Sequence, residues 1–381
     1  MTEPSGRPLP RLAMLRDLTD RTVLDEVFRL GRVTRAELAT STGISKPTIS
    51  ESVRRLETAG LLEATGRQSG GRGRVATFYE LDGKAGWVLA LEVNQGGLDT
   101  SAADLAGRPF DERHQPPGPP GDVEALVEAV RGTVRQALDR CGTGRGPLRA
   151  VSVSVANPVH PATREIIALR DSPFPEGLLR PAEILSDLTE APILIDNDVN
   201  LAALAERRSG SATEAASCAY VYVGAGLGVS FLLGDQLVRG AHGLAGEIGY
   251  LPVTTESGGS TTLAEFLTAQ GFGRSDAPSN DVDALTNLLS SGKNTEALHR
   301  IGAAVGQAIA AICAVVDPEL VLLGGPIGSH PTLLAPVRTV VEGIFPGPVR
   351  IEAGSITTNA PLRGALHLAT DQARAEMLGA R

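Results

Sequence analysis

The hydrophobic period of this chain changes near residue 85, and that change constrains the fold more than any other feature. Before it, apolar residues recur at helical spacing in short segments. After it, short apolar strands of the buried kind alternate with longer helical patterns. Two classes of domain therefore share one chain, and 381 residues exceed what a single core holds.

Residues 1–18 contain Pro and Arg and read as a flexible arm. In 19–30, Val23, Leu24, Val27 and Phe28 form the stripe of an amphipathic helix. Thr34 opens a second helix, with Glu37 three residues on as its capping-box partner. Thr42-Gly43-Ile44 is a short turn, and Ser45 caps a third helix whose first turn contains Pro47, where no amide donor is required. Ile49, Val53 and Leu56 share one face of that helix. Pro47, Thr48, Ser50, Glu51, Arg54, Arg55 and Thr58 fall on the other. Two strands follow, 61–65 and 75–81, around a Gly- and Arg-rich hairpin tip at 66–74.

Helix, turn, helix and Arg-tipped hairpin, in that order, predict a winged helix-turn-helix over 19–84 that binds double-stranded operator DNA. Ser45, Lys46, Thr48 and Ser50, at the start of the third helix, are candidates for phosphate or base-edge contact. Arg54 or Arg55 is a candidate for phosphate or guanine. Arg72 and Arg74 suit the minor groove, whose negative potential favours guanidinium. Glu51, on the same face, either reads cytosine or opposes binding.

Net charge is −9, which taken alone argues against nucleic acid, but its distribution does not. Residues 1–80 carry 13 basic and 10 acidic side chains; the remaining 301 carry 22 and 34. A mildly basic module is joined to an acidic body. Cys141, Cys218 and Cys313 lie far apart without a C-x-x-C pair, which excludes a disulfide framework and a cysteine-rich zinc site. No apolar run approaches the ~20 residues that cross a bilayer, and no signal-peptide order opens the chain. A cytoplasmic protein without membrane contact is expected.

In the body, 88–93 and 98–105 read as a strand pair and 122–140 as an amphipathic helix. Strands follow at 151–155 and 193–195, with 116–121 as a surface loop. A second set comprises strands at 219–223 and 229–233, a helix near 301–315 and a strand at 320–323. Two such sets predict a two-lobed α/β body with a cleft between the lobes.

Three stretches carry a family resemblance: Ile195-Asp-Asn-Asp-Val-Asn-Leu-Ala-Ala-Leu-Ala-Glu206, Gly240-Ala-His-Gly-Leu-Ala-Gly-Glu-Ile-Gly249 and Asp317-Pro-Glu-Leu-Val-Leu-Leu-Gly-Gly325. The chain resembles the ROK proteins (repressors, open reading frames and kinases), specifically the repressor branch. The resemblance implies an actin/hexokinase-like, ribonuclease H-like body. Its first lobe would take 85–198 plus a C-terminal helix at about 361–381; its second lobe, 199–360, would hold the oligomer contacts. A sugar is expected between the lobes, against Asn157, Asn197, Asp198, Glu247, Tyr250 and Glu265. In the family's kinases the residue matching Asp198 is the base that activates the sugar hydroxyl. At a helix N-terminus the Asp198 carboxylate is expected to be held ionised. Tyr250 either donates to a sugar hydroxyl or is a packed aromatic.

The departures from the family pattern matter as much. Where the kinases have Asp-x-Gly-Gly-Thr, this chain has Glu92-Val-Asn-Gln-Gly96, and the second phosphate loop is Gly224-Ala225-Gly226, without a hydroxyl. The family's zinc-binding His and thiolates are replaced by Glu247-Ile-Gly-Tyr250 and Ser257-Gly-Gly-Ser-Thr-Thr-Leu-Ala-Glu265. The expectation is a repressor with a sugar or sugar-like effector, homodimeric or homotetrameric, with no catalytic residue, cofactor or metal. Two alternatives stand beside it: a sugar kinase with an added DNA-binding domain, and a regulator with an empty cleft controlled by a protein partner.

Overall fold

The computed structural model describes residues 12–70, 74–94, 96–119, 122–169, 179–255, 258–273, 280–291 and 295–377. The N-terminal head is built from α1 (Leu12–Leu30), β1 (Val33–Thr34), α2 (Arg35–Thr42), α3 (Lys46–Thr58), β2 (Leu62–Gly70) and β3 (Arg74–Leu81). Helix α1 starts at Leu12, so the expected flexible arm is helical from residue 12 onward. Thr19 and Thr22 support that first half by donating to the Leu15 and Leu18 carbonyls, at 2.8 and 2.9 Å.

The local signals act as the sequence predicts. Thr34 accepts from the Glu37 amide at 3.2 Å and Glu37 returns a bond to the Thr34 amide at 2.8 Å, so two orphan donors are satisfied. Gly43 ends α2 at φ +70°, a left-handed conformation that glycine adopts without a Cβ penalty. Ser45 caps α3 and Pro47 sits in its first turn. Val23, Leu24, Val27, Leu38, Ile49, Val53 and Leu56 close the head core over the sheet β1-β3-β2. The hairpin is longer than predicted. Strand pairing runs out to Gly70 and Arg74, with an irregular register between Ala64 and Gly66.

The body contains two sheets of one topology. The first lobe has β4 (Trp87–Asn94), β5 (Gly97–Asp104), β6 (Pro109–Gln115), helix α4 (Val123–Cys141), β7 (Leu148–Val155), α5 (Pro181–Leu185) and β8 (Ile193–Asn197), in the order β6-β5-β4-β7-β8. After α6 (Asp198–Ser209), the second lobe has β9 (Ser217–Val223), β10 (Leu227–Leu233) and β11 (Gln236–Leu237). The hairpin β12 (Pro252–Thr254) and β13 (Ser260–Thr262) leads to α7 (Leu263–Leu267), α8 (Val282–Ser291) and α9 (Thr295–Val316). Then come β14 (Leu320–Gly324), α10 (Gly325–Gly328), α11 (Pro331–Ile344) and β15 (Arg350–Ala353), and the sheet order is β11-β10-β9-β14-β15. In each sheet the first strand turns back antiparallel on its successor, then pairs in parallel with a later strand.

The final helix, α12 (Ala360–Met377), leaves the second lobe and packs on β4, β5 and β7 of the first, and on α6 along its length. The two helices touch backbone to backbone. A Cβ on Gly364 would lie 1.8 Å from the Leu201 carbonyl oxygen, so only glycine permits this crossing. Helix α9 is long and apolar enough, by length and composition, to cross a membrane. Here its apolar face is core: Ile301, Val305, Ile309 and Ile312 pack with Val321, Leu323, Leu333 and Val337.

Candidate functional sites: the head surface and the interlobe cleft

On the head, Ser45, Lys46, Thr48, Glu51 and Arg54 are exposed and Ser50 is partly so. Not all of these groups are free for DNA. Ser45 holds the α3 cap, and its hydroxyl lies 2.8 Å from that of Thr48. Arg54 is paired with Glu51 at 2.6 Å, which gives Glu51 an intrahelical partner. Arg55 departs furthest from expectation. Its guanidinium makes a two-pronged ion pair with Asp20 of α1, at 2.5 and 2.8 Å, and Ser52, fully buried, donates to the same carboxylate. Arg55 is thus a tie between α3 and α1, while Lys46, Thr48 and Arg54 remain exposed on the helix and Ser50 partly so. Arg72 and the side chain of Arg74 lie outside the described residues; the backbone of Arg74 begins β3.

Between the lobes lies a cavity of about 950 Å³. Its wall is set by strand ends: β4 delivers Glu92 and Asn94, and β8 ends in Asn197, where α6 begins with Asp198. Asn197 caps α6, accepting from the Val199 and Asn200 amides at 3.0 and 3.3 Å and donating to the Asn157 carbonyl at 3.3 Å. Asn157 is buried, and while its carbonyl accepts that bond its own carboxamide donates to the Ile167 carbonyl at 3.4 Å.

Asp198 and Glu247 both reach the cavity. The helix N-terminus was expected to keep Asp198 ionised, and the Val199 amide does bond it at 2.7 Å. Burial and the neighbouring charge of Glu92 outweigh that bond and push its carboxyl up to about 7. Burial alone carries Glu247 to about 7. Glu92 is raised too, for the same reason. Burial, with the charges of Asp198 and Glu92, also pushes the Tyr222 phenol up. This wall offers carboxyl groups poised between acceptor and donor, which suits a polyol.

Tyr250 is 54% exposed and lines the cavity, so it is not a packed aromatic. Glu265 also lines it but is committed locally. It accepts from Thr261 Oγ1 at 2.8 Å and the Thr262 amide at 3.0 Å as the capping-box partner of α7, and these bonds lower its carboxyl below the usual range. Sequence reading gave no role to Glu92, Tyr222 or Asn280. For Glu92 a signal was present: a carboxylate inside the otherwise apolar run 87–93 must find partners.

A ROK family model matches residues 96–372, and a winged helix-turn-helix DNA-binding model matches 16–63. The chain belongs to the ROK family. Among curated relatives, the xylose repressor of Bacillus spizizenii is 20% identical over 370 residues, covering 92% of this chain and 94% of that protein. A glucokinase of Halalkalibacterium halodurans is 25% identical over 247 residues, 58% of this chain and 72% of that protein. Among solved structures, a ROK family transcriptional regulator described as a homolog of the E. coli MLC protein covers 96% of this chain and 98% of its own, with a TM-score of 0.71 at 16% identity. A ROK family glucokinase from Streptomyces griseus, in complex with glucose and AMPPNP, covers 75% of this chain and all of its own, with a TM-score of 0.59 at 20% identity. The family thus includes both repressors and sugar kinases, and this chain has the fold of the former along nearly its whole length.

At the two hairpin turns that the resemblance matches to the kinases' phosphate loops, an asparagine side chain bonds to the turn backbone. At the β4–β5 turn, Asn94 Oδ1 takes the Gly96 amide at 2.7 Å and its Nδ2 donates to Glu92 at 3.0 Å. At the β9–β10 turn, the carbonyls of Gly224 and Ala225 receive the side-chain and backbone N–H of Asn280, both at 3.0 Å. Backbone amides that would cradle a phosphate do so only when free. The Gly96 amide already has an acceptor in Asn94 Oδ1.

Proposed function

We propose that this ROK protein is a DNA-binding transcription regulator, a repressor of carbohydrate-related genes, whose kinase-like body senses a sugar without converting it. The head supplies the output: α3 offers Lys46, Ser50 and Arg54 to the major groove, and Arg72 and Arg74 are the sequence's candidates for the minor groove. The cleft supplies the input, with Asp198 and Glu247 as hydrogen-bonding groups for sugar hydroxyls and Tyr250 as an exposed amphipathic ring beside them. The observation that carries this reading is Asn94, whose carboxamide occupies the donor of the first phosphate turn while the sugar-side carboxylates remain on the cavity wall.

Regulation of this kind requires only that the sugar bind two states of the protein unequally. A repressor of this type works as a homodimer or homotetramer on palindromic operators, and that activity implies the cytoplasm. Thermal melting across neutral sugars and phosphosugars tests the input, because a ligand of the native state raises Tm. The absence of any shift across the panel refutes the sensor. One observation favours a kinase: a carboxyl near 7 at Asp198 suits a general base at neutral pH. ATP consumption over the same sugars with magnesium separates the two. Turnover establishes the kinase, and its absence with a Tm shift establishes the sensor.

A further inference from the structure

Helix α12 touches both functional regions. Its N-terminal end belongs to the cleft, where Asn359, Ala360 and Pro361 line the cavity beside Glu92 and Asp198. An α-helix leaves its first amides without intrahelical acceptors. One of them, Leu362 N–H, is satisfied by Glu92 Oε2 at 3.1 Å, across 270 positions of sequence, while Glu92 Oε1 takes Asn94 Nδ2. The carboxylate in the cleft wall is therefore also the cap of α12.

The C-terminal end belongs to the head. Arg374 lays its guanidinium over the Phe28 ring of α1, 4.2 Å from the centroid, and donates to the Leu105 carbonyl at 2.9 Å. Met377 packs against both the head core and the core beneath α12, as do Phe28, Leu61 and Leu81. Eighteen residues at 1.5 Å each make a rod of about 27 Å between these ends. The rod is held against α6 by the Gly364–Leu201 backbone contact, and α6 itself begins at Asp198.

We infer that α12 is the mechanical link between the cleft and the DNA-binding head, with Glu92 as the positioning residue at its cleft end and Arg374 at its head end. A group that binds in the cleft and competes for Glu92 or Asp198 changes the seat of the α12 N-terminus. The helix is one rod seated on α6 and on β4, β5 and β7, so a shift of its first turn is carried along its axis. Phe28, at the far end, moves with it. The biological purpose of this link rests on the sensor reading above; its mechanical existence does not, and it is testable without any sugar or operator.

The test is hydrogen exchange on the full chain, comparing the natural protein with Glu92→Gln. The amide of Gln occupies the volume of the carboxylate but cannot accept from Asn94 and Leu362 together, so one of the two contacts must break. Exchange is expected to change about threefold or more in the first turn of α12 and again in residues 25–31 of α1, where opening reports local stability. In Glu92→Gln/Arg374→Ala the change at the first turn of α12 persists and the change at 25–31 beyond that of Arg374→Ala alone disappears. Val305→Ala, in the second-lobe core, controls for general destabilisation and leaves 25–31 as in the natural protein. A Glu92→Gln effect confined to the first turn of α12, or one reproduced by Val305→Ala, overturns the link. If no sugar raises Tm while Glu92→Gln still alters residues 25–31, the sensor reading fails and the link stands. If sugars raise Tm and residues 25–31 do not respond, the reverse holds.

Discussion

Replacing Asp198 by Asn probes the electrostatics of the cleft, and its sign depends on pH. The native carboxyl is raised from an ordinary 3.8 to about 7, so the folded protein favours the neutral form. That preference contributes stability fully below pH 4 and loses it as pH rises from about 4 through about 7, because the unfolded chain releases the proton first. At about 1.4 kcal/mol per pH unit, the rise corresponds to about 4 kcal/mol of destabilisation at pH 8, an upper bound. Asp198 lines the open cavity, where solvent screens its charge, and Asn must bury a carboxamide of its own. A net gain of about 1–2 kcal/mol is expected for Asp198→Asn at pH 8, with Asn able to keep the bond from the Val199 amide. For a chain of this size that is a Tm increase on the order of 2–6 °C. At pH 5 most of the gain vanishes, since the native carboxyl is then neutral already. Thermal unfolding followed by far-ultraviolet circular dichroism at the two pH values measures both. A variant no more stable than the natural protein at pH 8, or a gain equal at the two pH values, refutes the reasoning. Sugar-induced stabilisation should be lost in the same variant, as expected where a binding group is kept at a cost in stability.

Other perturbations address the head and the helix crossing. Arg72→Ala/Arg74→Ala is expected to weaken DNA binding and reduce the slope of log K against log salt by up to about 2, read by fluorescence anisotropy at several salt concentrations; an unchanged slope removes both residues from the phosphate or minor-groove contact. Gly43→Ala forces a Cβ into a left-handed residue with open space around it, so about 1 kcal/mol of head stability should be lost to backbone strain alone. Gly364→Ala drives a methyl into the Leu201 carbonyl. Helices α6 and α12 must separate, at a cost of about 1–3 kcal/mol by overpacking, visible as a lower midpoint in urea; a neutral substitution means that the crossing is looser than described.

The sequence by itself determined what depends on neighbours a few positions away. Thr34 with Glu37, Gly43, Ser45 with Pro47, and Asn197 at a strand end before Asp198 all lie where their local patterns place them, because capping bonds close within two or three residues. The buried strands of both lobes were legible as apolar runs for the same local reason. Tertiary structure alone decided the rest. The ion pair of Arg55 could not be read from the sequence because its partner, Asp20, lies 35 positions away on another helix. Asn157 is buried and Glu265 lines the cavity while capping its own helix, placements set by which atoms face the cavity. Asp198 was expected to be ionised because the helix terminus is a local feature. Its raised carboxyl comes from desolvation and from Glu92, which reach it only when two lobes close around a common cleft. Hydrogen bonds that close within a turn are written in sequence order; burial and electric field are sums over residues that only the fold brings together.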